Sequence, residues 1–196
     1  STLFGYVLGL PMGIILTVTD KDGIRPNAAV YKVLDVIVNI LRSVPFLILL
    51  ILVMPFTKAV VGKTYGSTAT IVPLVIAAAP FIARMVESSL KEVDPGVIEA
   101  AVSMGAGTGT VIWKVMLAEA RTSLLVGVTI AIGTILGYSA MAGTVGGGGL
   151  GDIAIQYGYY RYETEIMIVT VVVLVVLVQI LQSIGMMVSR KLDKRK

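Results

Sequence analysis

Asp94-Pro95-Gly96-Val97-Ile98-Glu99-Ala100-Ala101-Val102-Ser103-Met104-Gly105-Ala106-Gly107-Thr108-Gly109-Thr110-Val111-Ile112-Trp113-Lys114-Val115-Met116-Leu117 lies inside a long connection, residues 88–121, between two strongly apolar stretches. It reads as structured. Asp94 can cap a helix, and Pro95 suits the first helical position, where no N–H is needed. Val97, Ile98, Ala101 and Val102 then fall on one helical face. Glu99 points elsewhere, towards the free amides of the first turn or a partner. Gly105, Gly107 and Gly109 end this helix and let the chain turn. A second short helix is expected at about Thr110–Leu117, carrying Ile112, Trp113, Val115 and Met116. The whole is a helix–turn–helix with apolar surface to place.

Outside this connection the chain is made for lipid. Of its 196 residues, 56% are hydrophobic and 14% charged, a balance foreign to soluble domains. It has no Cys and no His, which removes disulfides, thiol or imidazole chemistry and the usual zinc sites. No nucleophile–base pair is visible, so no catalysis is expected of this chain. The net charge of +4 does not call for nucleic acid.

A bilayer core takes about 20 apolar residues to cross as a helix. Five segments qualify, wholly or partly: residues 3–19, 33–56, 70–86, 122–142 and 166–188. Lipid leaves no partner for open-strand backbone, so all five are expected to be helices. The last is rich in Val, but its uncharged length fits a span and not a strand. Pro45, Pro55, Pro73 and Pro80 are read either as ordinary for membrane helices or as kinks lining a pathway. Gly127, Gly133 and Gly137 offer small surfaces for helix packing. The chain opens at Ser1 within an apolar stretch, without a basic leader. Missing N-terminal residues are expected, in preference to a cleaved signal peptide.

Charge placement sets the direction. Lys21, Arg25, Lys32, Arg84, Lys91, Lys114, Arg121 and the basic tail 190–196 fall on one side; Lys58, Lys63 and Arg161 fall on the other. The positive-inside rule puts the first group in the cytoplasm, with the N-terminus outside and the C-terminus inside. The tail suits an anionic inner leaflet.

Glu99-Ala100-Ala101, Gly105 four residues on, and then Val115 and Leu117 resemble the EAA loop of ABC importer permeases. Ala118 stands where that pattern usually has Pro, a departure that would soften the end of the second helix. Other stretches resemble methionine-uptake permeases: Asn39–Phe46, Met54–Thr57, Ala78–Glu87, Gly137–Met141, Val145–Gly151 and Gln156–Tyr159. The likeness runs from about Gly5 to the end of the fifth span. It implies an all-α membrane protein of the type I ABC importer permease fold, with five transmembrane helices in one domain (1–190) and a cytoplasmic coupling helix. Glu99, Ala100, Ala101, Gly105, Val115 and Leu117 would then contact an ATPase. The implied partners are a second permease copy, two ATPase subunits, an extracytoplasmic methionine-binding protein and membrane lipids, with no nucleic acid. ATP and magnesium would bind the ATPase, and no cofactor or metal this chain. The implied location is the bacterial cytoplasmic (inner) membrane, and the substrate L- and possibly D-methionine. A permease for another amino acid is the alternative, with an ion-coupled secondary transporter behind it.

Methionine's thioether suits a soft apolar lining, and its charged ends need polar partners. Tyr138, Ser139 and Met141 combine these qualities, with Met54 and Met85 as secondary candidates; plain packing is the other reading of each Met. Gly146, Gly147, Gly148 and Gly149 lack the Lys-Ser/Thr ending of a phosphate loop. They are read as a flexible external turn and, by resemblance, an outer gate. Arg42 is read as snorkelling near the end of its span; pairing with Asp35, seven residues earlier, is the alternative.

Overall fold

The computed structural model describes residues 1–192, and every regular element among them is helical. Lys194, Arg195 and Lys196 of the expected basic tail therefore lie outside the described residues.

Among the described residues, four helices are long and apolar enough to cross a membrane. These are α1 (Thr2–Thr19), α5 (Ser67–Lys91), α9 (Arg121–Ala142) and α11 (Thr164–Leu192). The second expected span is different. It does not run unbroken through residues 33–56. Helix α2 (Ala28–Ser43) starts earlier, where the Asn27 side chain accepts a hydrogen bond from Val30 N at 3.1 Å. It stops at Val44-Pro45. Pro45 has no N–H to donate and holds Val44 extended (φ −78°, ψ 124°). Helix α3 (Phe46–Leu52) leaves this break at 104° to α2. Helix α4 (Met54–Val61) follows, with Pro55 in its first turn, and Gly62 (φ 81°) ends it. Pro73 and Pro80, by contrast, sit inside an unbroken α5.

The centre of the molecule is the pair α1·α5. Gly5, Gly9 and Gly13 recur every fourth residue on α1 and are all buried. A Cβ at Gly9 would stand 2.7 Å from Ala79 O, and one at Gly13 would stand 2.6 Å from Ala83 O. Small residues thus let two backbones approach to contact, as membrane helices commonly do. Around this pair, Leu74, Ala78, Ile82, Val86 and Leu90 of α5 join Ala131 and Ile135 of α9 in one buried cluster. Helix α11 packs on α9 and leaves most of its length exposed.

The connection between α5 and α9 is helical, as its residues suggest. Helix α6 (Pro95–Ser103) begins where Asp94 accepts a hydrogen bond from Gly96 N at 2.7 Å. Gly105 takes the left-handed φ of 81° that ends it. The expected role of Gly109 as a terminator is not met. It lies within α7 (Thr108–Thr110), which runs on through a π-helical stretch (Val111–Met116) into α8 (Leu117–Glu119). Residue Ala118 sits in α8, and the chain swings into α9 at Ala120.

Candidate functional site: the α6 turn and the face of α9

Helix α6 does not present one apolar face. Ala101 is buried, and Ile98 packs beside it on the central cluster. Val97 and Val102 lie outside, with Met104 82% and Trp113 66% exposed. The residues expected to meet a partner divide in the same way. Glu99, Ala100 and Gly105 are exposed. Ala101 is inward, and Val115 and Leu117 pack on the core. Three residues therefore form an outer surface and three fix that surface to the bundle. Glu99 also borders a groove of about 830 Å³ between α6 and the α1–α2 connection, lined by Asp20, Lys21, Lys91, Ile98 and Met116 among others.

Beside this groove stands an ionic cluster that the sequence did not reveal. Glu87 on α5 is 3% exposed. It accepts from Arg84 Nη1 at 2.7 Å and from Lys91 Nζ at 2.8 Å. The Tyr31 hydroxyl donates to it at 3.4 Å. Arg84 also pairs with Asp35 and donates to Asn39 Oδ1 at 2.9 Å. Lys91 reaches Asp20 at 2.6 Å. The Lys91 ammonium, hydrogen-bonded to Asp20, holds that carboxyl below its usual range, and the Lys21 N–H adds to the effect. The cluster joins α1, α2 and α5 at the end where α6 begins. A signal was present: 84, 87 and 91 are spaced to meet on one helix face. The partners on α1 and α2 were not visible. Asp35 thus pairs across helices with Arg84, and the alternative of an Asp35–Arg42 pair is not met; Arg42 is exposed.

The expected pathway residues sit in different surroundings. The Tyr138 ring stacks on Phe46 at 4.7 Å, fixing α9 against the first residue of α3. Ser139 is half-buried and Met141 is 50% exposed. Met54 packs on the central cluster. The Met85 methyl lies 3.6 Å from where a Gly127 Cβ would be. Of the three methionines, Met141 is the one left open.

The glycine run has a defined backbone course. Gly146, Gly148 and Gly149 take φ of 74°, 77° and 83°, which residues with a Cβ resist. Gly147 is buried and donates to Ala142 O at 3.0 Å, and Gly146 O accepts from Gly66 N at 2.9 Å. The turn is bonded to the end of α9 and the start of α5. After it, α10 (Leu150–Ile153) and a π-helical stretch (Ala154–Tyr159) lead towards α11.

The chain is similar to several known proteins. It is 54% identical over 191 residues to the probable D-methionine transport system permease protein MetI of Vibrio cholerae, covering 97% of this chain and 85% of that one. It is 45% identical over 181 residues to the methionine import system permease protein MetP of Bacillus subtilis, covering 92% and 82%. Among solved structures, a chain of the MetNI methionine ABC transporter in an inward-facing conformation superposes with a TM-score of 0.97. That chain is 47% identical, and the match covers 98% of this chain and 89% of that one. An amino acid ABC transporter solved with histidines shares the fold at a TM-score of 0.76 and 20% identity, over 97% and 88%. The model of the binding-protein-dependent transport system inner membrane component family matches residues 9–195. The chain belongs to that family of inner membrane transport components.

Proposed function

We propose that this chain is the permease of an ATP-driven importer, carrying methionine across the inner membrane by alternating access. The observation that carries the reading is the construction of α6. Glu99 and Ala100 face outward on a short helix, while Ala101 and Ile98 root it in the core beneath α5. A helix anchored in this way passes a partner's movement into the spans, where a loose loop would absorb it.

Two copies form the pathway, and two separate ATPase subunits bind at their α6 turns on the cytoplasmic side. ATP and magnesium belong to those subunits, and hydrolysis with them. The N-terminus of the described chain then lies outside, the C-terminus inside, and Gly146–Gly149 near the outer mouth as a gate. An extracytoplasmic binding protein delivers methionine, in its L or D form. To swing a conformational equilibrium from 1:99 to 99:1, ATP binding must favour one state by about 5.5 kcal/mol. The methionine assignment rests on the relatives named above; another amino acid is the alternative. An ion-coupled mechanism is less well supported. The buried carboxylate at Glu87 is already matched by Arg84 and Lys91, unlike the available acid such transporters use.

The test is purification of the tagged chain in mild detergent with its ATPase. Equal stoichiometry is expected. Glu99→Lys should abolish association or ATPase-driven uptake while membrane insertion survives. Normal uptake by that variant would remove α6 from the coupling role.

A further inference from the structure

Helix α11 meets α9 along one stripe. Gln182 Nε2 would lie 2.7 Å from a Cβ on Gly133, and Thr129 Cγ2 would lie 2.6 Å from one on Gly185. Ser189 Oγ donates to Thr122 O at 3.2 Å. The order of these contacts is reversed along the two chains, so the helices are antiparallel. On a helix each residue is turned about 100° from the last. In an antiparallel pair, the positions following each contact residue therefore project to the same side of both helices.

The two flanks of α11 differ in the second half of the helix. The positions preceding the contacts are Leu177, Leu181, Ile184 and Val188, all exposed and all aliphatic. Half-buried Val178 continues the contact stripe, and the positions following it and the three contacts are Gln179, Ser183, Met186 and Arg190, also exposed, while nearer the start of the helix the same flank carries exposed Val171 and Val175. Gln179 stands next to the midpoint of α11. Thr170 turns its hydroxyl to Ile166 O at 2.7 Å, and Ser189 is bonded as described, so the buried hydroxyls of this helix are satisfied. Gln179 and Ser183 instead open outward. On α9, the same side carries Ile130, Thr134, Gly137 and Met141, with Ile130 and Met141 exposed. Gly137 has no heavy atom within 4 Å of an added Cβ, so the face is unobstructed there. An amide facing lipid at mid-depth is costly, and polar groups in spans turn to protein or water.

We propose that this shared flank is a wall of the translocation pathway, and that Gln179 is a specificity-determining residue that hydrogen-bonds the charged ends of the amino acid. The inference rests on the permease reading above. An amide both donates and accepts, which suits a zwitterion. Met141 and Met186 supply polarizable sulfur beside it for a thioether side chain. The aliphatic flank at Leu177–Val188 faces lipid.

The chain has no Cys, so single-cysteine variants report cleanly. Gln179→Cys, Ser183→Cys and Leu181→Cys are made in the permease–ATPase complex in nanodiscs, where both faces meet solvent. A water-soluble maleimide should modify Gln179→Cys and Ser183→Cys and leave Leu181→Cys untouched. Saturating L-methionine should slow the Gln179→Cys reaction several-fold. Gln179→Leu should raise KM for methionine about tenfold, the equivalent of one hydrogen bond, with Gln179→Asn retaining part of the loss. The proposal is overturned if Gln179→Cys and Ser183→Cys are as inert as Leu181→Cys in a complex that imports methionine. It is equally overturned if they cross-link copy to copy without reacting with the maleimide. If Gln179→Cys does not assemble, Ser183→Cys decides. Failure of the unmodified complex to import methionine would strike the permease reading instead.

Discussion

Lys91 Nζ lies 2.6 Å from Asp20 Oδ2, so the last residue of α5 is tied to the residue that ends α1. Three positions further on, Asp94 caps α6. The ends of three helices are thus gathered at one ammonium group, next to the groove that Glu99 borders.

The pair has a defined pH signature. Asp20 is held below its usual pKa by the hydrogen bond from Lys91. A carboxyl depressed in the folded state stabilises the fold above its unfolded pKa, and that contribution is lost as pH falls through the folded value. Asp20→Asn should therefore melt below the parent protein at neutral pH. The gap should close on acidification below about pH 4. Thermal unfolding in detergent across that range checks this, and a gap independent of pH would show that charge is not the cause.

Glu87 is the hub on the buried side. Its carboxylate is the one buried group that both Arg84 and Lys91 share, while each cation keeps a second, more exposed partner in Asp35 and Asp20. Glu87→Ala removes that shared buried carboxylate and leaves a cavity between the two cations, and should lower the melting temperature more than Asp20→Asn. Similar losses for the two variants would argue against a central role for Glu87.

Gly13 tests the α1·α5 contact. A side chain there meets Ala83 O and Val86 at 2.6 Å, and backbone cannot withdraw as a flexible side chain can. Gly13→Leu should separate the helices and cost on the order of 1–3 kcal/mol or more. Gly137→Leu, with open space around its position, is the matched control and should melt close to the parent. Equal melting of the two variants would contradict the close approach.

Parts of this arrangement were legible in sequence for identifiable reasons. The uncharged length of α9 and α11 specifies spans directly, because lipid punishes any charge in the middle. Asp94-Pro95 marks the start of α6 by its own capping chemistry. The break at Val44-Pro45 was hidden: hydrophobicity runs straight across it, and a proline can equally be absorbed, as Pro73 and Pro80 are in α5. The ionic cluster was hidden because Asp20, Tyr31 and Asp35 lie 71, 56 and 49 positions from Lys91, Glu87 and Arg84 respectively. Only folding brings them together. The Gly5-Gly9-Gly13 repeat was in plain view, and its meaning needed the partner helix. The run Gly146–Gly149 looked flexible by composition. That two of its glycines are hydrogen-bonded to Ala142 and Gly66 could be seen only in the fold.

The most direct test of the account is uptake of radiolabelled L-methionine into cells whose sole methionine importer contains this chain and its ATPase. The account predicts saturable uptake that unlabelled methionine competes away and that disappears when the ATPase is removed. Uptake that ignores methionine competition would contradict the substrate. Uptake that survives loss of the ATPase and collapses with the proton gradient would contradict the mechanism.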